Sequence, residues 1–280
     1  MKRGLVALTL VLALIPLACG GGEALSPEAA VAQAATNSVE AGTSRVSLEL
    51  TMTGIGDKPV TITGEGVQDS QQHRARFTFD LSGVGELSGG GVQLGEIELL
   101  LDGFTLYMNL PFLETAGLEP WVEIDLQALA QQEGFDLGSL RGLSQTDPTQ
   151  VLQYLQAASD DIQEVGEEDV RGVGTTRYRM SIDLDKVARQ APEEARAAIE
   201  ELLAESGLET IPAEAWIDGD GLVRRIELAY EGMEFTPGQK GDMAVRVELY
   251  NYGVEVEVQP PPADQVMPFQ DLLEAGGAES

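Results

Sequence analysis

The sequence predicts an α+β fold built mainly from one antiparallel sheet, and three observations lead to this prediction. Apolar and polar residues alternate over many short segments between residues 46 and 258, as expected of strands with one buried face. Most of these segments follow one another across short turns rich in glycine and aspartate, which favours antiparallel pairing of sequence neighbours. Only three or four stretches have the apolar spacing of a helix. We therefore expect about eleven strands and three or four helices.

The chain opens with a segment typical of an export signal, MKRGLVALTLVLALIPLACGGG. Two basic residues precede an apolar run, Leu5–Ile15, which would be about 17 Å long as a helix and so too short to cross a bilayer. Ala18 then precedes Cys19, as in the bacterial lipobox, whose cysteine receives a diacylglyceryl group before the signal is cleaved. We predict that residues 1–18 are removed and that Cys19 is lipidated. An ordinary signal peptide with an incidental cysteine is the alternative.

Lipidation of Cys19 would anchor the mature protein at the extracytoplasmic face of the cell membrane. Each buried methylene contributes about 0.8 kcal/mol, so two or three acyl chains, such as palmitate, would hold it there almost permanently. Residues 19–26 then form a short tether, residues 27–266 a single domain and residues 267–280 a C-terminal tail. Because Cys19 is the only cysteine, no intrachain disulfide can stabilise this domain.

The charge of the chain argues against one large class of partners. The 280 residues include 17 lysines and arginines and 47 acidic residues, which gives a formal net charge of −30. Nucleic-acid binding depends on basic side chains that displace counterions from phosphates, so no DNA or RNA partner is expected. The acidic residues are interspersed among apolar ones, and 43% of the chain is hydrophobic, which indicates a folded domain.

The first half of the chain begins with a helix and continues as hairpins. Ser26 offers an N-cap and Pro27 suits the first helical turn, so the Ala-rich stretch Ala29–Val39 is predicted to be helical. The pair Asp102-Gly103 is one of the strongest signals for a tight hairpin turn. The strands predicted in this half are Val46–Met52, Val60–Gln68, Arg74–Leu81, Val92–Leu101, Phe104–Leu110 and Pro120–Asp125.

The second half mixes helices with longer strands. The sequence DPTQ at 147–150 combines an N-cap, a first-turn proline and a capping-box glutamine, and predicts a helix at Val151–Ser159. An amphipathic pattern that ends at Gly207 predicts a second helix at Pro192–Ser206, and Leu126–Gln132 is expected to form a shorter one. The predicted strands are Asp161–Glu168, Gly174–Leu184, Ala213–Asp218, Leu222–Glu231 and Met243–Val258, the last with a break near Gly253.

Three stretches of the sequence have the order and spacing of one known group of proteins. They are EVGEEDVRGVGTTRYRMSIDL at 164–184, IPAEAWIDGDGLVRR at 211–225 and YNYGVEVEVQPPPADQV at 250–266. Together with the lipobox they resemble the actinobacterial LppX/LprG-type lipoproteins, which are similar in fold to the carrier LolA. This resemblance implies a strongly curved, LolA-like half-barrel of antiparallel strands with helices over its concave face. It also implies an apolar cavity there that receives the acyl chains of envelope lipids or lipoglycans.

The wall of such a cavity should consist of apolar side chains from one face of the strands. The partner implied is a membrane lipid or lipoglycan, with an envelope transporter as a further partner and no cofactor. Without the resemblance, a packed core explains the same alternation better, because alternating strands more often face protein than ligand. The residues expected to bind lipid are Leu48, Leu50, Met52, Phe77, Phe79, Leu106, Met108, Val122, Ile124, Met180 and Ile182.

Residue types that carry out chemistry are scarce in this sequence. His73 is the only histidine, which excludes a site with several histidine ligands, and we expect it to be a solvated surface residue. No nucleophile elbow, metalloprotease helix or phosphate-binding loop is present. The turn-like sequence DGDG at 218–221 lacks the later ligands of a calcium loop, since Ala229 stands where a bidentate glutamate is needed, and it predicts a hairpin turn. Trp121 and Trp216 are expected to pack on the sheet.

We therefore predict a non-enzymatic protein with no catalytic residues and no metal. The first hypothesis is a membrane-anchored lipoprotein that carries acyl chains between layers of the envelope. The second is an acidic cell-surface module with a filled core, which would bind or sense a partner protein. The third is a hydrolase whose site cannot be recognised from sequence.

Overall fold

The computed structural model describes residues 25–56, 58–85, 95–132, 159–190, 196, 209–236 and 238–277. Cys19 and the signal segment lie outside these residues. So do the predicted helices at Val151–Ser159 and Pro192–Ser206, except for Ser159 and Arg196. Ser159 is the first residue of a strand. Among the described residues, no helix is both long and apolar enough to cross a membrane.

In the part of the chain that the structure describes, twelve strands form a single sheet. They are β1 Thr43–Thr53, β2 Val60–Asp69, β3 Arg74–Asp80, β4 Glu96–Asp102, β5 Thr105–Asn109, β6 Trp121–Asp125, β7 Ser159–Val170, β8 Val173–Asp183, β9 Thr210–Asp218, β10 Val223–Thr236, β11 Gln239–Tyr250 and β12 Val266–Pro268. Their order in the sheet is β12-β6-β5-β4-β3-β2-β1-β11-β10-β9-β8-β7, and the sheet is curved and unclosed. Every pair is antiparallel except β12 with β6. The predicted large antiparallel sheet is confirmed, with one strand more than expected.

The helices of the described residues are short and lie mostly at the two ends of the sheet. They are α1 Pro27–Glu40, α2 Ser82–Gly85, α3 Leu126–Gln132, α4 Leu184–Gln190 and α5 Phe269–Gly277, with 3₁₀ helices at Pro111–Ala116 and Ala263–Gln265. As predicted, Ser26 is the N-cap of α1, and its hydroxyl accepts a hydrogen bond from the Ala29 N–H at 3.3 Å. This helix contacts β7, β9 and β10, whereas α5 contacts β6 and β12.

Of two tight hairpin turns, one was predicted from the sequence and the other was not. The β4–β5 hairpin is confirmed, although its two loop residues are Gly103 and Phe104, because Asp102 pairs with Thr105 inside the strands. Gly103 has a φ of 65°, which only glycine adopts without strain. The β10–β11 hairpin was not predicted, although Pro237-Gly238, a strong turn dipeptide, stands between the paired residues Thr236 and Gln239.

The C-terminal segment differs most from the prediction. The predicted strand Met243–Val258 ends instead at Tyr250, and the chain then turns at residues 251–253, where the N–H of Gly253 donates to the carbonyl of Thr43. Residues 267–280, assigned to a tail, include the end of β12 and all of α5. Met267 is buried next to β6, so this segment is part of the packed domain. A parallel pair between residues so distant in sequence leaves no local pattern to predict it.

Candidate functional site

Cross-strand register gathers apolar side chains on one face of the sheet, which we call the apolar face. Directly opposed residues in neighbouring strands point to the same side, so the face can be followed from strand to strand. One row consists of Val122, Met108, Leu99, Phe77, Gly66, Val46 and Leu249. The next consists of Ile97, Phe79, Gly64, Leu48, Val247, Ile226, Ala215 and Tyr178.

All eleven residues predicted to bind lipid lie on the apolar face. Those outside the two rows lie two or four residues from a member of a row on the same strand, so alternation points them to the same side. The pairing agrees, since Leu50 opposes Val245 and Ile124 opposes Leu106. Met52 opposes Met243, while Met180 and Ile182 oppose Ala213 and Ile211. The prediction that these side chains share one face is therefore confirmed. Their contact with lipid stays a prediction.

The sequence analysis missed several residues of the same face. Val245 and Val247 on β11 oppose predicted residues of β1, and Ile226 and Leu228 on β10 oppose those valines in turn. Alternation is as clear in these two strands as in β1, so the same signal would have found them. Leu99 was missed for a different reason, because β4 has apolar residues at consecutive positions and its inward face cannot be read from alternation.

The apolar face carries no charged side chain on the central strands. From β1 to β4 and from β9 to β11, the paired positions of this face hold only apolar residues, Tyr230 and three glycines, except for Ser44 and Gln68 at one end and the pair Thr236–Gln239 beside the β10–β11 turn. Such a surface offers hydrocarbon contact and almost no hydrogen bonds. A water-soluble polar ligand would lose its hydration there without compensation, which favours an apolar occupant.

Packed clusters cover the two ends of the apolar face. At one end, Val31 and Ala34 of α1 pack with Tyr178, Met180 and Ala215. At the other end, Met267, Phe269 and Leu272 from the C-terminal segment pack with Val122 and Ile124 of β6, together with the partly buried Leu106 and Met108. The predicted placement of helices on one face of the sheet is thus confirmed at both ends.

The middle of the apolar face belongs to neither cluster. Five of the predicted lipid-binding residues lie there, and each of them is only half-buried. Half-buried apolar side chains in the centre of a large sheet distinguish this region from the packed ends, where Val122 and Met180 are buried. The candidate lipid-binding site is this middle region, which comprises Leu48, Leu50, Met52, Phe77 and Phe79.

The opposite, polar face is crossed by ion pairs between neighbouring strands. Arg246 bonds Glu227 at 2.7 Å and lies 3.5 Å from Glu49, while Arg179 and Arg177 both bond Glu214. These pairs are partly exposed, and each contributes about 0–1 kcal/mol. These ion pairs fix the positions of the charged side chains on this face but contribute little to the free energy of unfolding. A cavity of about 240 Å³ between them is lined by Leu228, Val245, three alanines, a proline, a threonine and five charged residues, and these charges distinguish it from the apolar face.

Trp216 is the best-buried aromatic residue of the polar face, with 2% exposure. The guanidinium carbons of Arg177 and Arg225 lie 5.2 and 5.0 Å from the ring centre, and the indole N–H donates to Glu168 at 3.0 Å. That hydrogen bond, assisted by Arg225, holds the pKa of the Glu168 carboxyl below its usual value. Burial raises the pKa of Glu248, but hydrogen bonds from Arg171 and Arg225 outweigh it and lower the pKa. The prediction that Trp216 packs on the sheet is confirmed.

The turn at residues 218–221 is held by one carboxylate. The Oδ1 atom of Asp218 accepts the N–H groups of Asp220 and Leu222, each at 2.9 Å. Its Oδ2 atom accepts from the Nε of Arg224 at 2.5 Å, and the two side chains are only 3% and 15% exposed. The predicted hairpin turn is confirmed. Among the described residues, no three acidic, histidine or cysteine side chains lie close enough together to hold a metal ion.

The remaining residues considered in the sequence lie away from the candidate site. His73 occupies the β2–β3 turn with a φ of 53° and is half-buried rather than fully solvated; its carbonyl accepts the N–H of Gly103. Trp121 is buried on the polar face, where Leu100 and the segment Pro260–Pro262 lie around a cavity of about 360 Å³. Trp121 therefore packs on the sheet as predicted.

Comparison with known proteins shows that the chain is similar to two proteins of Streptomyces. No family model matches it. It is 29% identical over 207 residues to an uncharacterised 31.2 kDa protein of Streptomyces griseus, encoded between rplA and rplJ, and this match covers 72% of the chain. It is 24% identical over 192 residues to SCO4650 of Streptomyces coelicolor, a lipoprotein by name, with 67% of the chain covered. The matches span only 65% and 56% of these two relatives.

Two solved lipoprotein structures resemble this one at low sequence identity. LprF from Mycobacterium bovis has a TM-score of 0.47 and 14% identity, covering 85% of this chain and 99% of that one. LppX from Mycobacterium tuberculosis has a TM-score of 0.46 and 16% identity, covering 84% and 100%. The chain thus resembles LppX, as the sequence predicted.

Proposed function

We propose that this protein is a membrane-anchored lipoprotein that binds the acyl chains of an envelope lipid or lipoglycan and carries them between layers of the envelope. The observation that carries the proposal is the middle of the apolar face. There Leu48, Leu50, Met52, Phe77 and Phe79 are half-buried and no charged side chain shares their face. The predicted lipobox and the lipoprotein name of the Streptomyces coelicolor relative support the membrane anchor.

The energetics favour a sheltering protein for this task. Each methylene removed from water contributes about 0.8 kcal/mol, so two long acyl chains would lose on the order of tens of kcal/mol on crossing an aqueous gap unprotected. Contact with an apolar sheet face would offset most of this free-energy cost without covalent chemistry. A tether at Cys19 would keep the domain close to the membrane from which it takes its cargo.

The direct test is to extract lipid from the purified protein. The mature chain, residues 19–280 with Cys19→Ser, is purified without detergent from two expression hosts, extracted with organic solvent and analysed by mass spectrometry. We expect a stoichiometric lipid. Its absence from both hosts would contradict the proposal and favour the acidic module with a filled core. Turnover of generic ester or glycoside substrates would instead favour a hydrolase.

A matched pair of variants locates the binding face. Leu50→Asp puts a charge in the middle of the apolar face, whereas Thr51→Asp puts the same charge on the polar face one residue later. We expect Leu50→Asp to lose the bound lipid and Thr51→Asp to retain it. Both must have far-ultraviolet circular dichroism spectra like that of the unmodified protein. Equal lipid content in the two folded variants would refute this location.

The membrane anchor is tested separately with the full-length chain. We expect Cys19→Ser to abolish labelling by radioactive palmitate and to release the protein from the membrane fraction. Retention of the variant in that fraction, with normal processing, would show that Cys19 is not the anchor.

A further inference from the structure

Two phenylalanine rings in the middle of the apolar face extend over the neighbouring strand. On β2 the positions opposite Phe79 and Phe77 are Gly64 and Gly66. A Cβ atom at Gly64 would be 2.5 Å from both Cδ1 and Cε1 of Phe79, and one at Gly66 would be 2.2 Å from the carbonyl oxygen of Arg76 and 2.5 Å from Cδ1 of Phe77. Real Cβ atoms do not approach carbon so closely. The two rings therefore occupy the space in which side chains of β2 would otherwise stand.

The position of these rings determines how deep the middle of the face is. Gly64 also opposes Leu48 on its other side, so at this level β2 contributes no side chain between Leu48 and Phe79. Since neighbouring strands are about 4.8 Å apart, the gap from β1 to β3 is about 10 Å wide. Among the described side chains, the two rings extend into it. Their centres are 5.8 Å apart with planes inclined by 33°, and both side chains are half-buried.

We propose that Phe77 and Phe79, lying over Gly64 and Gly66, form the floor of the acyl-chain site and determine which chains fit. This inference rests on the proposed function and adds specificity-determining residues to it. While the rings lie over the glycines, hydrocarbon can pass directly over β2. A side chain at position 64 lifts the Phe79 ring into that space, whereas removal of the ring deepens the site.

An aromatic ring over a strand glycine also stabilises a sheet, so the rings could have a structural role without forming a floor. The structural role and the role as a floor predict different measurements. A stabilising pair affects the free energy of unfolding, whereas a floor affects the affinity and length preference for ligand in variants that remain folded. Binding must therefore be measured beside stability.

The probe is 11-(dansylamino)undecanoic acid, displaced in turn by laurate, palmitate and stearate. The protein is the delipidated mature chain with Cys19→Ser. We expect Gly64→Ala to weaken probe binding by about tenfold, which is the effect of losing about two methylene contacts at roughly 0.8 kcal/mol each. Thr63→Ala, the neighbouring position on the polar face of β2, is the matched control and should bind like the unmodified protein.

The double variant identifies the cause of any loss. If alanine acts by lifting the ring, Gly64→Ala combined with Phe79→Ala should recover at least half of the lost binding free energy. Without recovery, the proposed mechanism is wrong. Phe79→Ala alone should bind stearate more tightly relative to laurate by about threefold or more, and this test remains available if Gly64→Ala does not fold. An unchanged stearate to laurate ratio overturns the inference.

The outcomes separate the two levels of the proposal. If the unmodified protein binds neither the probe nor a fatty acid and yields no lipid on extraction, the proposed function fails. If it binds the probe and both Gly64→Ala and Phe79→Ala match Thr63→Ala in affinity and preference, only the floor is refuted.

Discussion

Replacement of Asp218 by alanine should destabilise the protein strongly, although the residue lies in a turn. The carboxylate accepts two backbone N–H groups and the Arg224 guanidinium, and its side chain is 3% exposed. Removing one member of a buried ion pair costs about 3–5 kcal/mol, because the partner charge is left unpaired. Water can reach the exposed residues Gly219 and Asp220 and can replace part of the lost hydrogen bonding. We therefore expect a loss of about 3–4 kcal/mol in the free energy of unfolding.

The assay is urea unfolding followed by tryptophan fluorescence, since the buried Trp216 lies two residues before the turn. With an m-value of about 2–3 kcal/mol/M, the midpoint should fall by about 1–2 M urea. Asp218→Asn keeps one acceptor oxygen and should lose about half as much. Asp220→Ala changes an exposed carboxylate of the same turn and should stay within about 0.5 kcal/mol of the unmodified protein. A loss below about 1 kcal/mol for Asp218→Ala would refute the reasoning.

Three further predictions concern other contacts of the sheet. Trp216→Phe removes the indole N–H from Glu168, so the pKa of that carboxyl should rise towards its ordinary value in a carbon-detected NMR titration; an unchanged pKa would contradict the cited cause. Because this pKa is depressed in the folded protein, the contribution of Glu168 to stability is present above about pH 4.5 and is lost as the pH falls through the folded pKa. In Trp216→Phe this loss of stability on acidification should be smaller. Met267→Ala should cost about 2–5 kcal/mol and speed proteolysis near α5, whereas Leu273→Ala, an exposed position of α5, should do neither. Addition of calcium should leave the Tm unchanged, because Arg224 occupies the Asp218 carboxylate; a rise of several degrees would argue for a bound ion.

Local patterns in the sequence were sufficient for most of the strands. In β1 and β3, apolar residues alternate strictly, so both the strand and its inward face could be predicted from Leu48, Leu50, Phe77 and Phe79. The Ser26-Pro27 pair likewise located the start of α1, because capping depends on residues within one turn of the helix. At the β10–β11 turn an equally local signal, Pro237-Gly238, was present and was missed.

Contacts between distant residues could not be predicted in this way. The parallel pairing of Val266–Pro268 with β6 joins residues more than 140 positions apart. A strand of three residues is also too short for alternation to be recognised. The rings over Gly64 and Gly66 were also missed. A glycine in a strand suggests close approach of another group, but only the register of β2 with β3 identifies that group as Phe79.

The sequence by itself determined the acidic composition and the alternation that gives each strand one apolar side, and it predicts the export signal and the lipid anchor, because each depends on composition or on residues close together in the chain. Only the tertiary structure decided that the apolar sides of the central strands form one continuous face, and that its two ends are packed while its middle is half-buried. The physical reason is that register and helix placement minimise the free energy of the whole sheet, through contacts between residues that no local pattern connects.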